Sequence, residues 1–160
     1  MNLKSVEITK LKIQEQDKAA AFCKSIYEEL DWGLRFSDGV DKLTEYFGKP
    51  GEIFLVAKID HRIIGCGGIK YLTQNNGLLK RFYIDKEFRG KGIAALLLDK
   101  LIKFAQLQKY KYLVLDTRFD NFRAQRFYVK HNFKKFKSKP YEGWSESFNP
   151  KIFYYYRLKL

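Results

Sequence analysis

An apolar-rich segment at residues 78–84, LLKRFYI, runs into a polar turn, Asp85-Lys86-Glu87-Phe88. The turn leads to Arg89-Gly90-Lys91-Gly92-Ile93-Ala94, where a long apolar-periodic segment begins. This junction constrains the chain more than any other stretch. The first segment reads as a strand, and 90–109 reads as a helix that buries Ile93, Leu96, Leu97, Leu101, Phe104 and Ala105. A strand therefore gives way to a helix across two glycines with Arg89 and Lys91 beside them. Glycine admits positive φ and lets a ligand approach the backbone closely. A helix N-terminus presents unpaired N–H groups and the positive end of the helix dipole. A pyrophosphate fits such a place without any dedicated side chain.

The elements around the junction follow from periodicity and turn chemistry. Residues 3–14 alternate weakly and read as an edge strand. Asp17 is placed to cap a helix over 18–30, whose apolar positions Ala19, Phe22, Cys23, Ile26, Tyr27 and Leu30 share one face. A loop covers 31–39. A short helix through Leu43, Tyr46 and Phe47 is ended by Gly48-Lys49-Pro50-Gly51. Strands at 52–59, 62–72 and 78–84, joined by turns at 60–61 and 74–77, form an antiparallel meander. Leu113-Val114-Leu115 reads as a central strand, Asn121 as the cap of a helix to residue 130, and 133–137 as a further strand. A loop over 138–150 precedes a last strand at 152–158. Neither repeats nor linkers interrupt the pattern, so residues 1–160 read as one α+β domain.

With 46% apolar residues and 3 prolines in 160, a disordered or low-complexity chain is excluded. No apolar run is long enough to span a bilayer. The N-terminus lacks a signal-peptide core, so the chain is expected in the cytoplasm with no membrane partner. Cys23, Cys66, His61 and His131 are too few for a disulfide framework, and no metal is expected. Cys66, inside Gly65-Cys66-Gly67-Gly68, reads as a small buried thiol rather than a nucleophile. His61 falls in a turn and His131 at a helix end. The net charge of +13 is concentrated: residues 80–139 hold 17 basic and 5 acidic side chains, a net of +12. Such a patch suits a polyanion, either nucleic acid or a phosphate-rich cofactor, and charge alone does not choose between them.

Three phosphate-binding readings compete at the glycine turn. A P-loop needs Gly-Lys followed by Ser or Thr, and here Ile93 follows Gly92. A dinucleotide fingerprint is met formally by Gly90, Gly92 and Ala95, with Asp116 ending the next strand, but it lacks the repeated strand–helix crossovers of that fold. The third reading is an acyl-CoA site. Arg89-Gly90-Lys91-Gly92-Ile93-Ala94 fits [QR]-x-x-G-x-[GA], and Asn121, Ala124, Tyr128 and Phe133 follow at matching spacing. With these residues the chain resembles the GNAT family, the GCN5-related N-acetyltransferases, in element order throughout and in motif over 78–136.

The resemblance implies a single domain with a mixed, mostly antiparallel central sheet flanked by helices. It implies acetyl-CoA as co-substrate and acetyl transfer to an amine by direct attack in a ternary complex. Backbone groups of Arg89, Gly90, Lys91, Gly92, Ile93 and Ala94 would hold the pyrophosphate. Phe82, Tyr83 and Ile84 would offer backbone groups to the pantetheine arm and the thioester carbonyl. Asn121 and Ala124 would border the pantetheine, and Tyr128 would protonate the leaving thiolate. Helical spacing independently puts Asn121, Ala124 and Tyr128 on one face. The departure is at Gly77-Leu78-Leu79-Lys80, where many relatives carry a glutamate base and this chain has no acid. Residues 31–38 and 139–148, with Trp32, Arg35, Glu142 and Glu146, would wall the acceptor, a small-molecule or protein amine. Room is left for a homodimer. Two other classes stay in view: a non-catalytic acyl-CoA-binding module, and a basic nucleic-acid-binding protein. Specific nucleic-acid binding is not expected, because the basic stretch coincides with the cofactor motif.

Overall fold

The computed structural model describes residues 5–32, 39–137 and 151–160. Its elements run β1 (Glu7–Lys10), α1 (Gln16–Glu29), α2 (Leu43–Tyr46), β2 (Ile53–Ile59), β3 (Arg62–Thr73), β4 (Asn76–Ile84), α3 (Ile93–Leu107), β5 (Tyr112–Arg118), α4 (Phe122–Lys130), β6 (Lys134–Phe136) and β7 (Phe153–Lys159). One seven-stranded sheet has the order β1-β2-β3-β4-β5-β7-β6. Every neighbouring pair is antiparallel except β4–β5, the pair bridged by α3. A single parallel crossover in an antiparallel sheet is not a doubly wound dinucleotide fold, so that alternative is set aside.

The helices cover both faces. On one, α3 buries Ile93, Leu97, Leu98, Leu101 and Ala105 against Leu55, Ala57, Ile64, Ile69, Leu79, Leu113 and Leu115. Each fully buried Leu or Ile contributes roughly 1.5–3 kcal/mol. On the other, α1 and α2 bury Phe22, Cys23, Ile26, Tyr27, Leu43 and Phe47 against Phe54, Val56, Ile63 and Cys66. The glycines of β3 permit this dense packing: a Cβ on Gly68 would stand 2.5 Å from Phe47 Cε1, and one on Gly67 would stand 2.8 Å from Phe82 Cδ2.

Several expectations are corrected. Leu96 is 40% exposed and Leu98 takes its place in the core, because the buried stripe of α3 passes through 97, 98 and 101. Asp17 lies inside the first turn of α1, whose cap is Glu15; a 3₁₀ turn over Ile13–Glu15 feeds the helix directly. The edge strand is only the four residues of β1. The β3–β4 turn is tighter than 74–77, since Thr73 already pairs with Asn76. Helix α3 starts at Ile93 rather than at Gly90, because Gly90 and Gly92 have φ of 75° and 83°. The loop expected at 138–150 lies outside the described residues.

Candidate active site

Strands β4 and β5 pair only at Asn76↔Tyr112, Gly77↔Leu113 and Leu78↔Val114, and then part. The cause is a β-bulge. Register with β3 shifts between Cys66 and Gly68, and Arg81 takes φ 54°, a left-handed conformation unusual for a non-glycine residue. The Cys66 Sγ, 3.2 Å from the Arg81 carbonyl, satisfies the acceptor that the bulge exposes. Burial pushes the Cys66 thiol up, which keeps it an uncharged donor. Between the parted strands lies a cleft of about 520 Å³.

One bank of the cleft is the strand-to-helix junction. Asp85 accepts from the Glu87 N–H at 3.0 Å and pairs with Arg62 at 2.6 Å, fixing the 3₁₀ turn over Lys86–Phe88. Arg89 then bends back: its Nε donates to the Ile84 carbonyl at 2.9 Å, and its guanidinium grips both Glu29 oxygens at 2.5 and 2.7 Å. Arg89 holds the Glu29 carboxyl below its ordinary range. The sequence reading offered the Arg89 charge to a phosphate; the structure ties that charge to α1, where it anchors the turn. Gly92 is the N-cap of α3, and no side chain caps that end. Gly90, Gly92, Ala94 and Ala95 line the cleft. Gly90 has only open space where a Cβ would stand. The Ile93 side chain is fully buried in the core, and Lys91 lies 5.2 Å over the Phe88 ring; neither side chain lines the cleft.

The facing bank is α4. The Asn121 Oδ1 accepts from the Ala124 N–H at 3.2 Å, the expected cap. Asn121, Ala124 and Tyr128 all line the cleft, as do Phe82, Tyr83 and Ile84 across from them. Tyr128 packs against Phe82 (6.3 Å between centroids), Phe127 (5.5 Å) and Phe133 (5.4 Å). It is 7% exposed, and its hydroxyl makes no hydrogen bond among the described residues. Burial, with Asp116 adding to it, raises its pKa well above the usual value for tyrosine, so the proton stays on oxygen at neutral pH.

Sequence reasoning did not single out Lys80, Arg81, Arg118 and Arg123 as cleft-lining residues, and it weighed Asp116 only as a ribose acid. Alternation along β5 could have found Asp116 and Arg118, which share a strand face; nothing local marks the bulge that turns Arg81. The proposed acceptor walls fall largely at 33–38 and 139–148, outside the described residues; Trp32 does line the cleft. No helix among the described residues is long and apolar enough to cross a membrane.

The model of the acetyltransferase (GNAT) family matches residues 21–133. An N-acetylaspartate synthetase of Xenopus tropicalis is 33% identical over 112 residues, which cover 69% of this chain and 41% of that protein. This chain thus spans less than half the length of that relative. An acetyltransferase of the GNAT family from Staphylococcus aureus Mu50 superposes with a TM-score of 0.79 at 25% identity, covering 96% of this chain and 99% of the other. An acetyltransferase from Bacillus anthracis, solved in complex with acetyl coenzyme A, superposes with a TM-score of 0.62 at 24% identity over 73% of this chain and 67% of that one. The bulged and parted strands, the glycine turn into α3 and the family match lead to one conclusion: this chain belongs to the GNAT acetyltransferase family.

Proposed function

We propose that residues 1–160 form one acetyltransferase domain that moves an acetyl group from acetyl-CoA to a primary amine by direct attack in a ternary complex. The observation that carries this reading is the exposed inner edge of β4 beside an uncapped helix N-terminus. Once β5 leaves, the backbone of Phe82, Tyr83 and Ile84 is without a strand on that side and borders the cleft. An extended amide-containing arm can lie along it as a surrogate strand. The N–H groups from Arg89 to Ala94 are suited to the pyrophosphate, and the glycines leave it room. Ala124, small and between Asn121 and Tyr128, leaves a channel for the arm.

In this mechanism the amine nitrogen attacks the thioester carbonyl carbon. Negative charge develops on the carbonyl oxygen, which a β4 backbone donor stabilises. As the C–N bond completes, the attacking nitrogen gives up a proton to water; as the C–S bond breaks, the electron pair goes to sulfur, Tyr128 supplies the thiol proton, and its phenolate recovers a proton from solvent. No acid stands at 77–80, so the amine enters as its neutral fraction or loses its proton through water. What favours catalysis over a non-catalytic acyl-CoA binder is Tyr128, a cleft-lining phenol that keeps its proton at neutral pH.

The test is a thiol-release assay with acetyl-CoA over a panel of amines, L-aspartate included because of the product named for the Xenopus relative. Amine-dependent CoA release with a matching acetylated product is expected. Tight acetyl-CoA binding with no turnover on any amine would instead select the non-catalytic reading.

A further inference from the structure

We propose that Arg123, in the first turn of α4, holds the diphosphate of the acyl-CoA from the bank opposite the glycine turn. The inference rests on the acetyltransferase reading and deepens it by naming the side chain that supplies the cation. The motif gave that role to Arg89, but the Arg89 guanidinium is committed to both Glu29 oxygens and its Nε to the Ile84 carbonyl. Arg118 is likewise held by Asp120 at 2.9 Å. Arg123 lines the same cleft as Arg89, Gly90 and Gly92, and it makes no hydrogen bond or ion pair among the described residues.

The placement of Arg123 is unfavourable until an anion joins it. The first turn of α4 carries no acid and has this arginine instead, where the positive end of the helix dipole repels a cation. Arg89 repels it as well. Glu29 attracts it, but Glu29 is already chelated by Arg89, so two guanidinium charges face one carboxylate and the group is net positive. Partial burial and then the Arg89 charge hold the Arg123 guanidinium below its ordinary pKa, with Glu29 opposing them. An anionic group in the cleft offsets the dipole, the burial and the like charge together.

The rest of α4 decides which part of the ligand that group belongs to. Arg123, Phe127 and Lys130 recur at helical spacing and line the cleft beside the row of Asn121, Ala124 and Tyr128. Phe127, one turn after Arg123, stacks on Phe82 with 5.7 Å between centroids. That apolar pair suits an uncharged arm. Arg123 stands one turn nearer the helix start, where Arg89 and Glu29 act on it. An acyl-CoA has the same polarity, an uncharged arm that ends in phosphates. The planar guanidinium offers paired N–H donors that match phosphate oxygens. The diphosphate then lies between the backbone N–H groups of the glycine turn and the Arg123 fork.

The experiment titrates acetyl-CoA and 3′-dephospho-acetyl-CoA by calorimetry into the wild-type protein, Arg123→Gln and Arg126→Gln. The dephospho ligand keeps the diphosphate, so it separates the two phosphate sources. Arg126→Gln removes the same charge from the same helix at a residue that does not line the cleft. Arg123→Gln is expected to bind both ligands about tenfold more weakly, the loss of one charge-assisted contact. Its melting temperature should not change, because Arg123 is exposed. Arg126→Gln should bind both ligands as the wild type does. Wild-type affinity in Arg123→Gln, an equal loss in Arg126→Gln, or a loss confined to the ligand with the 3′-phosphate would each overturn the inference and leave the acetyltransferase reading standing. If the wild type binds neither ligand, both fall.

Discussion

Tyr128 is where the chemistry of the site narrows to one atom. Its ring is held by Phe82, Phe127 and Phe133, and its hydroxyl has no partner among the described residues. A core tyrosine normally satisfies its hydroxyl, and removing a made hydrogen bond costs about 1 kcal/mol. Here Tyr128→Phe removes an oxygen that makes no such bond, so the melting temperature should stay within a degree or two. The rate should not. A free thiol has a pKa of about 8.5, so thiolate is a fair leaving group, and a general acid adds about 10²–10⁴-fold. We expect kcat to fall tenfold or more with acetyl-CoA affinity within a few-fold. A full kcat, whatever the melting temperature, would remove Tyr128 from the mechanism. Arg89 shows the opposite case: its position in the motif suggested a phosphate ligand, but its charge is matched by Glu29, 60 residues away in sequence.

At the scale of elements, the bulge in β4 matters most. It parts β4 from β5, turns Arg81 toward α1, and sets Phe82 over Gly67. A Cβ on Gly67 would lie 2.8 Å from Phe82 Cδ2 and 3.1 Å from Leu101 Cδ1. Gly67→Ala should therefore cost about 1–3 kcal/mol by overpacking, lower the melting temperature by several degrees and reduce kcat/KM by shifting Phe82. An unchanged melting temperature together with unchanged kcat/KM would mean that Phe82 is not fixed by this contact. The same elements show what was legible in the sequence. The meander, α3, and α4 with its Asn121 cap were readable because turn residues and apolar periods are local signals. The bulge was not, since an arginine rather than a glycine takes the positive φ. The insertion of β7 between β5 and β6 was not, since partner choice among strands is non-local. Leu96 was misassigned because α3 has apolar side chains on more than one face, and only packing selects among them.

For the whole molecule, two helical layers lie on one sheet, and among the described residues that sheet opens in a fork between β4 and β5. The +12 stretch of residues 80–139 contains the C-terminal half of β4, the glycine turn, α3, β5 and α4, all of which contribute residues to the cleft. Six of its basic residues, Lys80, Arg81, Arg89, Arg118, Arg123 and Lys130, line the cleft proposed for a polyanionic co-substrate. The central claim is that acetyl-CoA occupies this fork with its pyrophosphate on the α3 N-terminus. Calorimetric titration of acetyl-CoA into the wild-type protein and into Gly92→Asp tests it most directly. Aspartate at residue 92 adds a side chain and a negative charge at the N-cap, on a surface glycine whose φ of 83° Asp tolerates better than most residues. The account predicts one acetyl-CoA per wild-type chain and an affinity at least tenfold weaker in a variant with near-native melting temperature. No binding to the wild type, or equal affinity in a folded Gly92→Asp, would contradict it.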